Sequence, residues 1–225
     1  MALKLDIRAP LVVLAANFNP HIFNVIWVAQ NLFGFAEGSE IPTTNVLMHN
    51  GISPTALTFI EGVALRVDLD RTELFALNAD PSTLARIEQI VLRMLEILPY
   101  TPVSAIGCNL SYVDSEPAEG LVDLFTTAEG WEAEGVLNSR QAAIQLQLDD
   151  RRVLNFTRLL TSHELRFSFN YHCAERNPSL YREFVPRIIE ASLESSGDML
   201  RRLYSCEREG LIGLVPPNVE GGENA

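Results

Sequence analysis

Residues 80–113 constrain the fold of this chain more than any other stretch, because they join its most regular helical pattern to a long apolar strand. From residue 81 to residue 98, apolar side chains recur at every third or fourth position, which predicts a helix with one buried face. The side chains on that face are Leu84, Ile87, Val91, Met94, Leu95 and Leu98. Residues 103–113 are mostly apolar and follow Pro102, so they predict a strand.

The order of the predicted elements before this junction is repeated after it. The first half predicts a strand at 11–18, a helix at 20–33, three strands within 43–79 and the helix at 81–98. The second half predicts a strand at 103–113, a helix at 117–128, three strands within 144–171 and a helix at 178–204, kinked at Pro186. This repetition indicates an internal duplication.

Three of the predicted helices begin with the same pair of residue types, an Asn or Asp followed by a Pro. The pairs are Asn19-Pro20, Asp80-Pro81 and Asn177-Pro178. The first side chain can accept a hydrogen bond from a free backbone amide, and Pro has no amide hydrogen to lose. In the helix at 20–33, which Gly34 is expected to end, the predicted buried side chains are Ile22, Ile26, Ala29 and Phe33.

These elements predict an α+β fold in which helices cover one face of a mainly antiparallel, curved sheet of about eight strands. We assign a first β-α-βββ-α repeat to residues 1–100, a second to residues 101–206 and a C-terminal tail to residues 207–225. This order of elements resembles the two half-repeats of the TATA-box-binding protein family and, more broadly, the helix-grip folds. The resemblance implies a fold only, since no shared sequence motif accompanies it.

The charge of the chain argues against direct binding to nucleic acid. Its 29 acidic and 17 basic residues give a net charge of −12, which repels a phosphate backbone. No apolar run is long enough to span a membrane, and the three Cys residues show no paired spacing. We therefore expect a cytoplasmic protein with reduced thiols and no membrane association.

No pattern in the sequence predicts catalytic chemistry. The chain has no Cys pair or His pair with metal-site spacing, no Gly-rich nucleotide motif and no nucleophile elbow. Ser162-His163-Glu164 supplies the residue types of a catalytic triad, but neighbours in a turn cannot converge as a triad does. We therefore expect no cofactor, no metal ion and no catalytic residue.

The function expected from these features is a non-enzymatic protein-interaction or assembly module of an intracellular complex. One candidate surface is the open face of the sheet, where Arg166 and Asn170 point outward from a strand. The other is the tail, whose composition predicts a flexible arm carrying a short apolar segment. The apolar residues of that segment are Leu211, Ile212, Leu214 and Val215. Through either surface, we expect binding to a protein partner or self-association into an oligomer.

Two further functions are alternatives at this point. A small-ligand-binding or enzymatic domain would have a pocket between sheet and helices, with a few polar side chains contacting the ligand. The candidates for that role are Cys108, Tyr112, His163 and His172. An acidic inhibitor that mimics nucleic acid would display carboxylates in regular rows, whereas the acidic residues of this chain are scattered.

Overall fold

The computed structural model describes residues 2–41, 43–49, 54–116, 125, 139–161, 163–175 and 177–212. These residues form one sheet of eleven strands, packed with four α-helices. The strands are β1 (Ala2–Asp6), β2 (Val12–Ala16), β3 (Thr43–His49), β4 (Pro54–Ile60), β5 (Val63–Val67), β6 (Arg71–Ala76), β7 (Val103–Asp114), β8 (Ser139–Gln147), β9 (Arg152–Thr161), β10 (Leu165–Cys173) and β11 (Glu207–Ile212). The helices are α1 (Val25–Val28), α2 (Pro81–Ile97), α3 (Pro178–Phe184) and α4 (Ile188–Tyr204).

The main path of the sheet runs β3-β4-β5-β6-β2-β7-β10-β9-β8, and every pair along it is antiparallel. Beside this path, β1 pairs with the C-terminal end of β7, and β11 pairs in parallel with β1. The strands in the middle, β2 and β7, come from the two halves of the chain. The prediction of an α+β fold with a mostly antiparallel sheet is therefore confirmed.

Side chains alternate between the two faces of the sheet, and helices cover one of these faces. In β10, Phe167, Phe169 and Tyr171 are buried, whereas the residues between them are only half-buried. Helix α4 packs against β7, and α2 packs against β5 and β6. The buried side chains thus point toward the helices, which confirms the alternation predicted for β10.

The sheet has more strands than the eight that we predicted. Residues 43–60, which we predicted as one interrupted strand, form β3 and β4, and these two pair with each other. Residues at the two ends of the described chain add β1 and β11. Local patterns did not reveal β11, because its partner strand lies at the opposite end of the sequence.

Helix α2 confirms the most regular pattern of the sequence. Four side chains of the predicted face are buried, namely Ile87, Val91, Met94 and Leu95. Leu84 and Leu98 pack against the same core but remain partly exposed. The prediction omitted Ile90, which is also fully buried. Asp80 precedes the helix as predicted, although its side chain makes no capping hydrogen bond.

The predicted helix at 20–33 is not continuous. It consists of a 3-10 turn at Pro20–Ile22, then α1, then a π-helical turn at Ala29–Phe33. The Asn24 side chain accepts a backbone amide hydrogen bond that starts α1, so the helical register changes within the segment. Ala29 and Phe33 are buried as predicted, whereas Ile22 and Ile26 are exposed. Gly34, at a φ of 79°, ends the segment as predicted.

The predicted helix at 178–204 is divided into α3 and α4 at the position where we expected a kink. Pro186 has no amide hydrogen to donate to the preceding turn. Arg187 then adopts a left-handed backbone conformation with a φ of 60°. The helix predicted at 117–128 lies outside the described residues, apart from Phe125, which is buried.

Residues 207–212 belong to the sheet, although composition predicted a flexible arm there. As β11 they lie beside β1, with Leu211 opposite Leu5 and Ile212 opposite Asp6. The backbone amide of Ile7 donates a hydrogen bond of 2.9 Å to the Ile212 carbonyl. Pairing with β1 provides hydrogen-bond partners for the backbone of this segment. The composition of the segment could not indicate that such a partner strand exists. Leu214 and Val215 lie outside the described residues.

Candidate functional site

The open face of the sheet carries a row of amide side chains bonded to one another across four neighbouring strands. Gln145 donates to Asn155 at 2.9 Å, and Asn155 donates to Asn170 at 3.0 Å. Asn170 in turn donates to Asn109 at 2.6 Å. Asn170, which we predicted as a partner-binding residue, is therefore held in this row by its neighbours on β9 and β7.

Arg166, the other predicted partner-binding residue on this face, belongs to a network of ion pairs. Its guanidinium donates to Asp6 at 3.0 Å, to Ser111 at 2.9 Å and to Glu164 at 3.0 Å. Asp6 also pairs with Arg8 at 2.7 Å. Hydrogen bonds from Arg8 lower the pKa of Asp6 to about 2, against the effect of burial. The network joins β1 to β7 and β10.

In the first half of the open face, charged side chains neutralise one another. Arg66 pairs with Asp68 at 2.9 Å and with Glu73 at 3.4 Å, and Arg71 pairs with Glu73 at 3.2 Å. The carboxylates are mostly buried within this cluster. Two cations and two anions therefore contact each other here, and they form no patch of one sign.

The four residues that we predicted for a pocket lie on different faces of the sheet. Cys108 and Tyr112 point toward the helices, where the Tyr112 hydroxyl lies 2.7 Å from that of Ser196 on α4. Burial raises the pKa of Cys108 to about 12. His172 points to the open face beside the amide row, and His163 is exposed in the β9–β10 turn. The sheet separates these side chains, because successive residues of a strand point to opposite faces.

A cleft of about 650 Å³ lies instead between helices α3 and α4, the β8–β9 turn and the C-terminal end of β10. We call it the α3–α4 cleft. Its apolar and aromatic lining includes Leu148, Tyr171, Cys173, Leu180, Phe184 and Ile188. The volume lies in the range of small-molecule sites in proteins. Of the residues predicted for a pocket, none lines it.

The Tyr171 hydroxyl is buried at this cleft and has no hydrogen-bond partner among the described residues. Burial raises the pKa of Tyr171 to about 12, and the neighbouring Ser195 side chain lowers that pKa by a smaller amount. Even so, Ser195 does not complete a hydrogen bond of ordinary geometry with the hydroxyl. Leaving a buried hydroxyl unpaired costs roughly 1–3 kcal/mol. Packing alone therefore does not account for a Tyr, rather than a Phe, at this position.

Most of the charged residues around the cleft form ion pairs within the protein. Arg151 lies 3.6 Å from both Glu175 and Glu183, and Arg152 pairs with Asp149. The lining residues include three basic and three acidic side chains, so the rim has no net charge. They are Asp149, Arg151, Arg152, Glu183, Arg187 and Glu194.

A second feature is the free edge of the sheet at β8. Within the described residues, β8 pairs with β9 alone, and it ends the main path of the sheet. Arg140 is the one charged residue among its nine, and the strand contains neither Pro nor Gly. Natural edge strands are usually protected from pairing by charges, Pro or bulges. This edge has almost none of that protection, and its register with β9 is regular.

A row of exposed apolar residues lies along β8 and the residue that follows it, on the side that continues the buried face, and we call it the β8 row. Ile144 is 46 % exposed, Leu146 is 41 % exposed and Leu148 is 39 % exposed. Across the sheet, Ile144 lies opposite the buried Phe156, and Leu146 lies opposite the buried Leu154. The core of the protein thus extends to the sheet edge and ends there partly uncovered.

The sequence predicted neither the cleft nor the free edge. A strand was predicted from the alternation of Ile144, Leu146 and Leu148 with Gln residues. The near absence of charged residues on both sides of that strand could have indicated an unprotected edge. No local pattern signalled the cleft, because it assembles residues from a turn, a strand and two helices.

No group of three or more His, Cys, Asp or Glu residues in the described part of the chain could hold a metal ion. None of the described helices is both long enough and apolar enough to cross a membrane. No protein-family model matches the sequence, and neither a curated protein nor a solved structure is significantly similar to it.

Proposed function

We propose that this protein is a non-enzymatic assembly module, and that two copies associate by pairing their β8 strands. The observation that carries this proposal is the β8 row, since it places half-exposed Ile and Leu side chains on an edge strand that lacks protective charges. A strand added to such an edge supplies backbone hydrogen bonds and covers the apolar side chains. The result is one sheet that continues from one copy into the next.

A two-fold axis at Gln145 gives a register in which the strands complement each other. Ile144 of one copy then lies opposite Leu146 of the other, and both point to the helical side. Arg140 lies opposite Asp150, which is exposed in the β8–β9 turn. The two-fold axis repeats this Arg140–Asp150 ion pair, so one such pair flanks the apolar contact on each side.

This charge pattern is our reason for preferring a second copy to an unrelated partner. The chain carries a net charge of −12, so contact between most parts of two copies is repulsive. β8 carries one Arg and no acidic residue, and therefore provides a path for contact that is free of the acidic repulsion. Burying each apolar residue of the β8 row contributes on the order of 1 kcal/mol before the entropy of association is subtracted.

The proposed module consists of two β-α-βββ-α repeats with the boundary near residue 100. The strand order supports this division, since β2 and β7 pair with each other at the centre of the path. Outward from them follow β6, β5, β4 and then β3 on one side, and β10, β9 and β8 on the other. On each side the outer strands come from one half of the chain, and the three nearest the centre occur in the same relative order, while β3 is an additional strand of the first half.

A cysteine placed on the proposed axis tests both the interface and its register. In a Gln145→Cys variant, the two introduced thiols would face each other across the axis at a spacing that permits a disulfide. We expect copper-phenanthroline oxidation to give a covalent dimer, since the three native Cys residues are buried. In the control Gln147→Cys, the introduced thiols would lie several residues apart and should not crosslink. Equal crosslinking of both variants would reject the register.

Light scattering after size-exclusion chromatography tests association itself. Ile144→Lys should convert the dimer to a monomer without unfolding it, because the side chain is already half exposed. Leu69→Lys changes an equally exposed apolar residue in the β5–β6 turn and should leave the dimer intact. A wild-type protein that stays monomeric at all concentrations, or equal dissociation of both variants, would rule out the β8 interface.

A further inference from the structure

We infer that the α3–α4 cleft binds a neutral, mainly apolar small molecule that forms a hydrogen bond with the Tyr171 hydroxyl. This is a binding activity in addition to the assembly proposed above, and Leu148 is the one residue shared between the cleft lining and the β8 row. Its basis is the coincidence of a cleft of about 650 Å³ with a buried hydroxyl that lacks a protein partner. Ligand sites commonly combine an apolar lining with a few such polar groups.

The lining determines that the body of the ligand is apolar. Leu180 and Phe184 from α3 and Ile188 from α4 form one wall, and the Tyr171 ring lies at the end of β10. Cys173 follows on the same face of the strand and is buried. Burial also raises the pKa of the Cys173 thiol, so the thiol stays protonated and the binding we infer is non-covalent.

The Tyr171 hydroxyl supplies the directional contact. The side chain is 7 % exposed, and its hydroxyl can donate one hydrogen bond and accept another. The raised pKa of Tyr171 keeps this group neutral over the physiological range. The hydroxyl is buried beside Ser195, and both residues line the cleft, so we infer that the ligand reaches the hydroxyl when the small Ser195 side chain rotates away.

The ion pairs of the rim favour a neutral ligand over an anionic one. Arg152 pairs with Asp149, and Arg187 pairs with Glu190 at 2.7 Å. Arg151 lies between Glu175 and Glu183. An anionic ligand would have to break one of these pairs and leave a carboxylate near it, which is unfavourable in a partly enclosed site. A neutral ligand leaves all of them intact.

A matched pair of fluorescent dyes tests this class of ligand on the full-length protein. Anilinonaphthalene is neutral and apolar with one amine, and its sulfonated analogue has the same rings and a negative charge. We expect the neutral dye to bind at one site per chain, with at least tenfold higher affinity than the sulfonate. Equal affinity, or absence of binding by the neutral dye, would overturn the proposal.

Variants of the chain locate the dye. Tyr171→Phe removes the hydroxyl alone and should weaken binding about 3- to 10-fold, the effect of one hydrogen bond. Ser195→Trp and the exposed Ala191→Trp should fill the cleft and abolish binding. Two independent blocking variants are used in case one of them does not fold. Circular dichroism checks that each variant is folded.

Matched controls separate the cleft from other apolar surfaces. Tyr100→Phe alters a tyrosine that is 97 % exposed and should not change the affinity. Ile144→Lys alters the β8 row and should also leave dye binding unchanged. If folded Trp variants retain wild-type affinity, or if Ile144→Lys abolishes binding, the dye occupies another surface and the assignment of the cleft is wrong.

Discussion

The carboxylate of Glu88 on α2 accepts a hydrogen bond of 2.8 Å from the backbone amide of Ile189 at the start of α4. It accepts a second one of 3.0 Å from the amide of Arg187. The two amides belong to the first turn after the break at Pro186, where no residue within α4 can bond to them. Glu88 therefore caps a helix that is distant in sequence, and it joins α2 to α4.

We expect Glu88→Ala to lower the free energy of unfolding by about 1–2 kcal/mol, because two amides of the first turn of α4 lose their acceptor. Glu88→Gln should cost less, since its amide oxygen can still accept one of the bonds. Urea titration of the wild type and the two variants measures the order of their free energies of unfolding. A Glu88→Ala variant with wild-type stability would show that water replaces the carboxylate at no cost.

The buried face of α2 gives a second prediction. Leu95 is 6 % exposed, so Leu95→Ala should lower stability by about 2–5 kcal/mol through lost burial and the cavity left behind. Its neighbour Glu96 is exposed and pairs with Arg93 at 2.6 Å. Glu96→Ala should therefore change stability by less than about 1 kcal/mol. Equal denaturation midpoints for the two variants would contradict the assigned face.

The Asp6 network predicts how stability depends on acidic pH. The pKa of Asp6 is lowered from 3.8 to about 2 in the folded protein. A group with a lowered folded pKa adds stability above its unfolded pKa, and this contribution is lost as pH falls toward the folded pKa. We expect a contribution on the order of 1 kcal/mol, since the partner Arg8 is half exposed and solvent screens the pair.

The measurement is the free energy of unfolding between pH 7 and pH 2 for the wild type and for Asp6→Asn. The variant should be less stable at neutral pH, and the difference between the two proteins should shrink below about pH 4. Parallel curves over the whole range would show that the ionisation of Asp6 contributes nothing to stability.

Tyr171→Phe should stabilise the ligand-free protein by up to about 1 kcal/mol, because it removes a buried hydroxyl that has no protein partner. Tyr112→Phe is the matched control, since that hydroxyl is bonded to Ser196. We expect the control to lose about 1 kcal/mol. Thermal unfolding distinguishes the two variants, because Tm should rise for Tyr171→Phe and fall for Tyr112→Phe relative to the wild type. Destabilisation by Tyr171→Phe would show that the hydroxyl is satisfied.

Much of the fold follows from patterns within single elements. The helical period at 81–97 predicted α2 and its face, and the alternation from Leu165 to Tyr171 predicted β10. The order of elements also indicated a mostly antiparallel sheet with helices. These patterns are visible because burial on one face repeats with the geometry of the element itself.

The helix predicted at 20–33 shows where such patterns fail. The Asn24 side chain accepts a hydrogen bond from the Trp27 backbone amide and so starts a new helical segment. The buried face therefore does not continue from Ile22 to Ile26, and both side chains are exposed. The prediction for 207–212 failed for a different reason. Gly and Glu are typical of flexible segments, but a strand partner at the other end of the chain orders these residues.

By itself, the sequence determined the α+β fold class, helix α2 and the alternation of side chains in the strands of the second half. All of these depend on neighbours a few residues apart. Only the tertiary structure decided that Cys108 and His172 lie on opposite sides of the sheet, and that Tyr171 meets α3 and α4 around a cleft. It likewise left β8 at the edge of the sheet. The physical reason is that strand order and register are set by contacts between distant segments, which local periodicity does not encode.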